Sequence, residues 1–158
     1  MTQHSPSTTA SPEAAHPGQA SFDAADRQAV LNLVRSYGPF YDGGFVQEWR
    51  DLFVETPVIE FWGGTAKLLD GLPAALTVLE VRQKEFKAKS LQRRHFLTPR
   101  VISQDPASIT GDAYLLLLSN DGAKPAFVGT GRYEFAAVKQ GDAWRISRWI
   151  AHLDNALD

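Results

Sequence analysis

A chain of 158 residues with 44% hydrophobic and 11% aromatic content has apolar mass for one globular domain with a real core. Its formal charge of −2, with cations scattered apart from Arg93-Arg94 and the lysines over 84–89, argues against a nucleic-acid partner. The lack of cysteine removes disulfides, thiolate metal sites and cysteine nucleophiles, and no apolar run nears the ~18 residues a membrane span needs.

Residues 1–21 are rich in Ser, Thr, Pro, Ala and Gly and almost free of large apolar side chains. Such a segment buries too little surface to offset its ordering entropy, so a disordered tail is expected, with His4 and His16 carrying no metal role. It has neither the basic start and apolar middle of a signal peptide nor the arginines of a transit peptide, and the expected compartment is the cytoplasm. The domain is expected to fill residues 22–158.

The first helix is predicted from near Asp23, capped by Asp23 or Ser21, toward Tyr37, with Val30, Val34, Tyr37 and Tyr41 at helical spacing on its buried face. Gly38-Pro39 should break or kink it. Asp42-Gly43-Gly44 predicts a turn before a short second helix whose apolar positions are Phe45, Trp49, Leu52 and Phe53. Residues 57–62 read as a strand ended by Gly63-Gly64. A third helix starts at Gly71-Leu72-Pro73, with Leu72, Leu76, Leu79 and Phe86 inward.

After residue 92 the period becomes strand-like. Strands are predicted near 94–103, 108–119, 126–139 and 143–153, separated by Gln104-Asp105-Pro106, Asn120-Asp121-Gly122 and Gln140-Gly141-Asp142. Leu115 to Leu118 is apolar on both faces, which predicts a central strand. Three helices followed by a curved antiparallel sheet make an α+β domain with a conical hollow suited to a small molecule.

Two residues sit oddly for a packed domain. Asp42 follows an apolar helical stripe, and His95 opens an apolar strand whose alternation places His95, Leu97, Pro99 and Val101 on one face. A carboxylate and an imidazole facing one apolar cavity form a proton-transfer pair for near-neutral pH. The plainer readings are that Asp42 caps the second helix or braces the glycine turn, and that His95 is a satisfied core histidine. Tyr37 and Tyr41 lie one helical turn apart, either able to present a hydroxyl to the cavity. Trp62, Tyr114, Phe127 and Trp149 are candidate substrate-lining residues. Glu60, between Val58 and Trp62, reads as a solvated edge-strand residue. The spacing of His152 and Asp154 lacks a third ligand, and no metal site is assigned.

The order and spacing of Tyr41-Asp42, Trp49, Leu52-Phe53, Arg94-His95, Gly131-Arg132-Tyr133, Trp144-Arg145-Ile146 and Asp154 resemble the SnoaL-like group of the nuclear-transport-factor-2-like superfamily over roughly residues 23–155. That resemblance implies a cone-shaped α+β barrel, homodimeric or homotrimeric, in a superfamily of dehydratases, isomerases, cyclases and non-catalytic subunits. In motif the chain resembles scytalone dehydratase and the bile-acid dehydratases. Tyr41-Asp42 is similar to the adjacent pair of the first, and Tyr37 to Asp42 to the five-residue offset of the second. His95 falls on the dehydratase histidine.

The second histidine of scytalone dehydratase has no match; Asp112 or Tyr114 is the candidate replacement. The resemblance implies a cofactor-independent lyase or isomerase acting on a cyclic, oxygenated apolar small molecule, such as a polyketide or steroid-like metabolite. Asp42, His95, Tyr41 and Tyr37 would be its catalytic residues. The alternative it leaves open is a non-catalytic ligand-binding or assembly domain resembling a ring-hydroxylating dioxygenase β-subunit.

Overall fold

The computed structural model describes residues 23–155. The expected tail over 1–21, with His4 and His16, lies outside the described residues. The elements are α1 (Ala24–Gly43), α2 (Val46–Arg50), β1 (Phe53–Gly63), β2 (Ala66–Asp70), α3 (Leu72–Ala88), β3 (Gln92–Gln104), β4 (Ser108–Asn120), β5 (Pro125–Gln140) and β6 (Ala143–Leu153). The strands form one curved sheet in the order β2-β1-β6-β5-β4-β3. All neighbouring pairs are antiparallel except β1 with β6, which run parallel. The sheet stays open, with β2 and β3 as its two edges. No described helix is long and apolar enough to cross a membrane.

α1 does not end at Gly38-Pro39; it runs on to Gly43 with Pro39 inside it. Pro39 removes one backbone donor, yet it lies on the exposed side of the helix, where the cost of a carbonyl left unpaired is small because that side is open to solvent. The buried side carries Val30, Val34, Tyr37, Gly38 and Tyr41, and their packing outweighs one lost hydrogen bond. Asp23 caps the start, its Oδ1 accepting the Asp26 N–H at 2.8 Å. Gly44 closes the end at φ 71°, a left-handed conformation that suits glycine.

α2 is shorter than the apolar spacing predicts. Phe45 is exposed, Trp49 is buried, and Leu52 and Phe53 lead into β1 instead of continuing the helix. β1 starts four residues earlier than the predicted strand and folds back as β2 through Gly63-Gly64, a hairpin absent from the sequence reading. α3 begins as predicted, with Pro73 in its first turn and Leu72, Ala75, Leu79 and Phe86 buried.

The concave side of the sheet carries the core: Ile59, Leu115, Leu117, Tyr133, Phe135, Trp149, Ala151 and Leu153 meet the stripe of α1. β4 is flanked on both sides, as its leucine run suggested, but the outward residues of that run are not covered. Leu116 is 40% and Tyr114 72% exposed on the convex side.

Gly38 fixes how closely α1 approaches β3. A Cβ there would lie 2.9 Å from the Cβ of His95 and 3.0 Å from its carbonyl oxygen. Gly38→Ala is therefore expected to destabilise by about 1 kcal/mol or more, because overpacking against backbone exceeds the gain in helix propensity. Thermal unfolding should show a lower Tm; an unchanged or higher Tm would mean that the helix slides away freely.

Candidate active site

Asp42 occupies the last turn of α1, one residue before the helix ends, and its side chain crosses to β3. Oδ2 accepts the backbone N–H of His95 at 2.8 Å, and Oδ1 accepts the ring Nδ1–H at 2.6 Å. Both side chains are more than nine-tenths buried, at 8% exposure for His95 and 7% for Asp42. Asp42 thus neither caps α2, whose start at Phe45 has no side-chain cap, nor braces the glycine turn. A carboxylate accepts only, so the neutral form of the imidazole is the one with its proton on Nδ1 and its lone pair on Nε2.

Around that pair, Tyr37, Tyr41, Phe61, Phe86, Leu115 and Tyr133 wall a cavity that His95 lines, with Arg82 and Arg93 completing the rim. About 60 Å³ of it admits water, room for roughly two molecules, within a hollow of about 480 Å³ counting its open mouth. The ring of Tyr41 lies 5.0 Å from that of His95, and Tyr37 meets the imidazole edge-on at 6.0 Å. Tyr37 also stacks on Trp149 at 4.4 Å and shares a hydroxyl hydrogen bond with Tyr133. Both tyrosines therefore reach the cavity. Tyr41 stands closer to the imidazole, while Tyr37 is committed to the core network.

Burial pushes the Tyr41 hydroxyl up to about 12, opposed by Arg82 and Arg93 and reinforced by Asp42 and Glu85. Tyr37 and Tyr133 are raised further, again by burial first. These phenols remain proton donors across the whole neutral range.

The aromatic residues expected to line the hollow do not. Trp62 points to the convex face, where its Nε1 donates to Glu60 Oε2 at 2.8 Å. Tyr114 faces the same side, paired across strands with Thr98. Phe127 is 66% exposed. A bulge between Leu117 and Leu118 shifts the β4/β5 register, so Phe127 pairs with Leu118 and leaves the inner face. Trp149 is on the inner face but fully buried beneath Tyr37, in the core and not on the cavity wall.

The residues offered in place of a second histidine also face outward. Asp112 is held by Arg100 through two bonds of 2.6 and 3.0 Å, and Tyr114 is in solvent. Glu60 is not on an edge strand, since β2 covers β1; Lys67 of that hairpin binds it at 3.1 Å. Asp154 accepts from Thr130 Oγ1, and His152 stands 3.7 Å from Glu134. Among the described residues no three histidine, cysteine, aspartate or glutamate side chains are grouped to hold a metal.

Arg82, Arg93, Phe61, Phe86 and Tyr133 were not singled out as site residues. One was within reach of strand alternation: Arg93 shares the face of His95, two residues away.

The phenols give a pH dependence. They bind their protons more tightly folded than unfolded, so the stability they lend is complete below pH ~10 and is lost as pH rises from there. For Tyr41 the loss extends through about 12. An alkaline titration should show the phenolate absorbance of Tyr37, Tyr41 and Tyr133 appearing together with loss of near-ultraviolet circular dichroism. Ionisation of all three near pH ~10 with the fold intact would contradict this burial.

Solved structures share the fold at low identity. A candidate scytalone dehydratase from Novosphingobium aromaticivorans is 16% identical, covers 82% of this chain and 84% of its own, and superposes with a TM-score of 0.66. ActVI-ORFA from Streptomyces coelicolor is 20% identical over 82% of this chain and 98% of its own, with a TM-score of 0.67. The β subunit of a candidate aromatic-ring-hydroxylating dioxygenase from Novosphingobium aromaticivorans is 13% identical over 85% of this chain and 92% of its own, at a TM-score of 0.66. No curated protein sequence matches the chain significantly. The sequence model of the SnoaL-like domain matches residues 23–150, from the cap of α1 into β6, and the chain belongs to that family.

Proposed function

We propose that the protein is a cofactor-independent lyase or isomerase that moves protons on a cyclic, oxygenated apolar small molecule. The observation that supports this reading most directly is the two-point grip of Asp42 on His95 beside an apolar cavity. Asp42 fixes the tautomer and steadies the imidazolium that forms during turnover. Nε2 of His95 takes a proton alpha to a ring carbonyl, and the bonding pair moves onto the carbonyl oxygen as an enolate. Tyr41 donates a hydrogen bond to that oxygen, where developing charge is largest. In an elimination the enolate re-forms its carbonyl as the beta C–O bond breaks, and the imidazolium returns its proton to the departing hydroxide, releasing water. In an isomerisation the same proton returns to a different carbon.

A ring needs more room than two water molecules, so admission requires Arg82 and Phe86, both on α3, to turn toward the mouth. The compartment proposed is the cytoplasm.

His95→Ala and Asp42→Asn are each expected to lower turnover about 100-fold or more, the usual weight of a positioned acid–base group. A panel of cyclic ketols, followed by mass spectrometry of product and by alpha-proton exchange in deuterated water, provides the measurement. Full activity in both variants, with circular dichroism unchanged, would end the dyad account.

A second reading has its own observation: the convex face exposes Phe96, Leu116 and Tyr114, as an assembly module would. A homodimer or homotrimer built on this face accommodates both readings. The patch is bordered by the pairs Arg100–Asp112 and Arg132–Glu134, so it carries both signs, which allows unlike charges to meet in a self-complementary contact. Tyr114→Asp should shift the light-scattering mass to that of the monomer. A wild-type protein that is itself monomeric would remove the assembly proposal and leave the dyad untouched.

A further inference from the structure

Arg93 is the anomaly of the cavity. Its position on β3 sends it inward with His95, and it is only 8% exposed. One face of its guanidinium lies against the Phe86 ring, 4.9 Å from the centroid. Its Nε is buried without a hydrogen-bond partner. Among the described residues no carboxylate lies within ion-pair reach of it.

The neighbouring charges sharpen the imbalance. Arg82, the other cation on the rim, is engaged by Glu85 of its own helix at 3.1 Å. Asp42 is an inner carboxylate whose charge acts on Arg93, but His95 occupies both of its oxygens. Burial, and then the like charge of Arg82, depress the Arg93 guanidinium below its ordinary value. A buried guanidinium left in this state is costly, because its desolvation is not matched by an acceptor. The planar fork of arginine fits a carboxylate through two parallel bonds, a geometry that lysine does not supply.

We infer that Arg93 is the seat for a carboxylate on the substrate, so that the natural ligand is an acid and not a neutral ketol. This rests on the reading of the cavity as a substrate site and narrows its substrate class. The distance is suitable. Residues two apart on one strand face lie roughly 7 Å from each other, so the anion sits about one ring away from the carbon whose proton His95 takes. Arg82 adds attraction at the mouth, and Phe86 covers the ring plane.

Benzoate and its neutral isostere benzamide are the probes, titrated into nitrogen-labelled protein while the Arg93 Nε–H and His95 ring signals are followed by NMR. Benzoate should shift the Arg93 signal saturably and bind roughly tenfold or more tightly than benzamide, the weight of a charge-assisted hydrogen bond. Arg93→Met, which keeps length and apolar contact with Phe86, should erase the preference for the acid, with benzoate binding falling to the level of benzamide. His95→Ala should keep the preference.

Equal binding of acid and amide, benzoate shifts confined to surface signals, or no saturable binding would overturn the proposal. So would a preference retained in a folded Arg93→Met. Should that variant fail to fold, the wild-type comparison and Arg93→Lys, expected to bind benzoate more weakly than wild type, decide the matter. Loss of turnover in the dyad variants without any acid preference would sink the carboxylate seat alone. An acid preference with fully active dyad variants would sink the acid–base mechanism alone.

Discussion

A carboxylate removed from water costs several kcal/mol unless its lone pairs are matched, and Asp42 meets that requirement through one residue, His95. The two bonds do different things. The one to the backbone N–H joins the last turn of α1 to the first part of β3, so the helix and the edge strand are registered by a side chain. The one to Nδ1 orients the imidazole and leaves its other nitrogen toward the hollow. A single partner serving both bonds makes the ring's position a consequence of how the chain packs. The aromatic wall of Tyr37 and Tyr41 then closes around a ring that has no freedom to rotate away.

This arrangement depends on the close approach of α1 to β3, and several sequence features converge on it. Gly38 supplies the clearance, since any side chain there would meet His95. Pro39 faces water on the opposite side, so the helix can continue for the turn that carries Tyr41 and Asp42. Had α1 stopped at the proline, Asp42 would fall in a loop, where holding both oxygens on a strand 53 residues away would demand more ordering entropy. The open sheet contributes in a different way. Its curvature turns one face into a hollow and leaves the other convex and partly apolar, so the cavity and the exposed apolar patch occupy opposite sides of the same strands.

How much of this was legible in the chain divides along physical lines. Elements built on local periodicity were readable: the α1 stripe, the proline start of α3, and the four strands after residue 92, each within a few residues of its observed bounds. The pairing of Asp42 with His95 followed from two polar residues on apolar faces, helped by the family motif. What failed was whatever depends on register. Trp62, Tyr114 and Phe127 are aromatic and on strands, but which face they occupy is fixed by pairing partners and, for Phe127, by a bulge that no local pattern announces. The parallel meeting of β1 and β6 brings distant segments together and leaves no sequence signature. Arg93 was the opposite case. Its face was readable from His95 by counting two residues, yet a charged residue beside a second arginine reads first as a solvated pair.

The electrostatics of the hollow favour one kind of ligand throughout. Its negative charge, Asp42, is consumed by His95, its three phenols stay protonated, and its two guanidiniums lie at the rim with only one of them paired. A low-dielectric space with donors and cations but no free carboxylate is complementary to anions, whether fixed on the ligand or formed during reaction. The enolate of the proposed reaction is such an anion, and it would appear only as the proton moves to His95. A permanent carboxylate at Arg93 would bind ground state and transition state alike, whereas the hydrogen bond from Tyr41 strengthens as charge develops. On the two proposals together, binding and rate enhancement would reside on different residues of one wall, Arg93 for the first and Tyr41 with His95 for the second, so that each could be altered without removing the other.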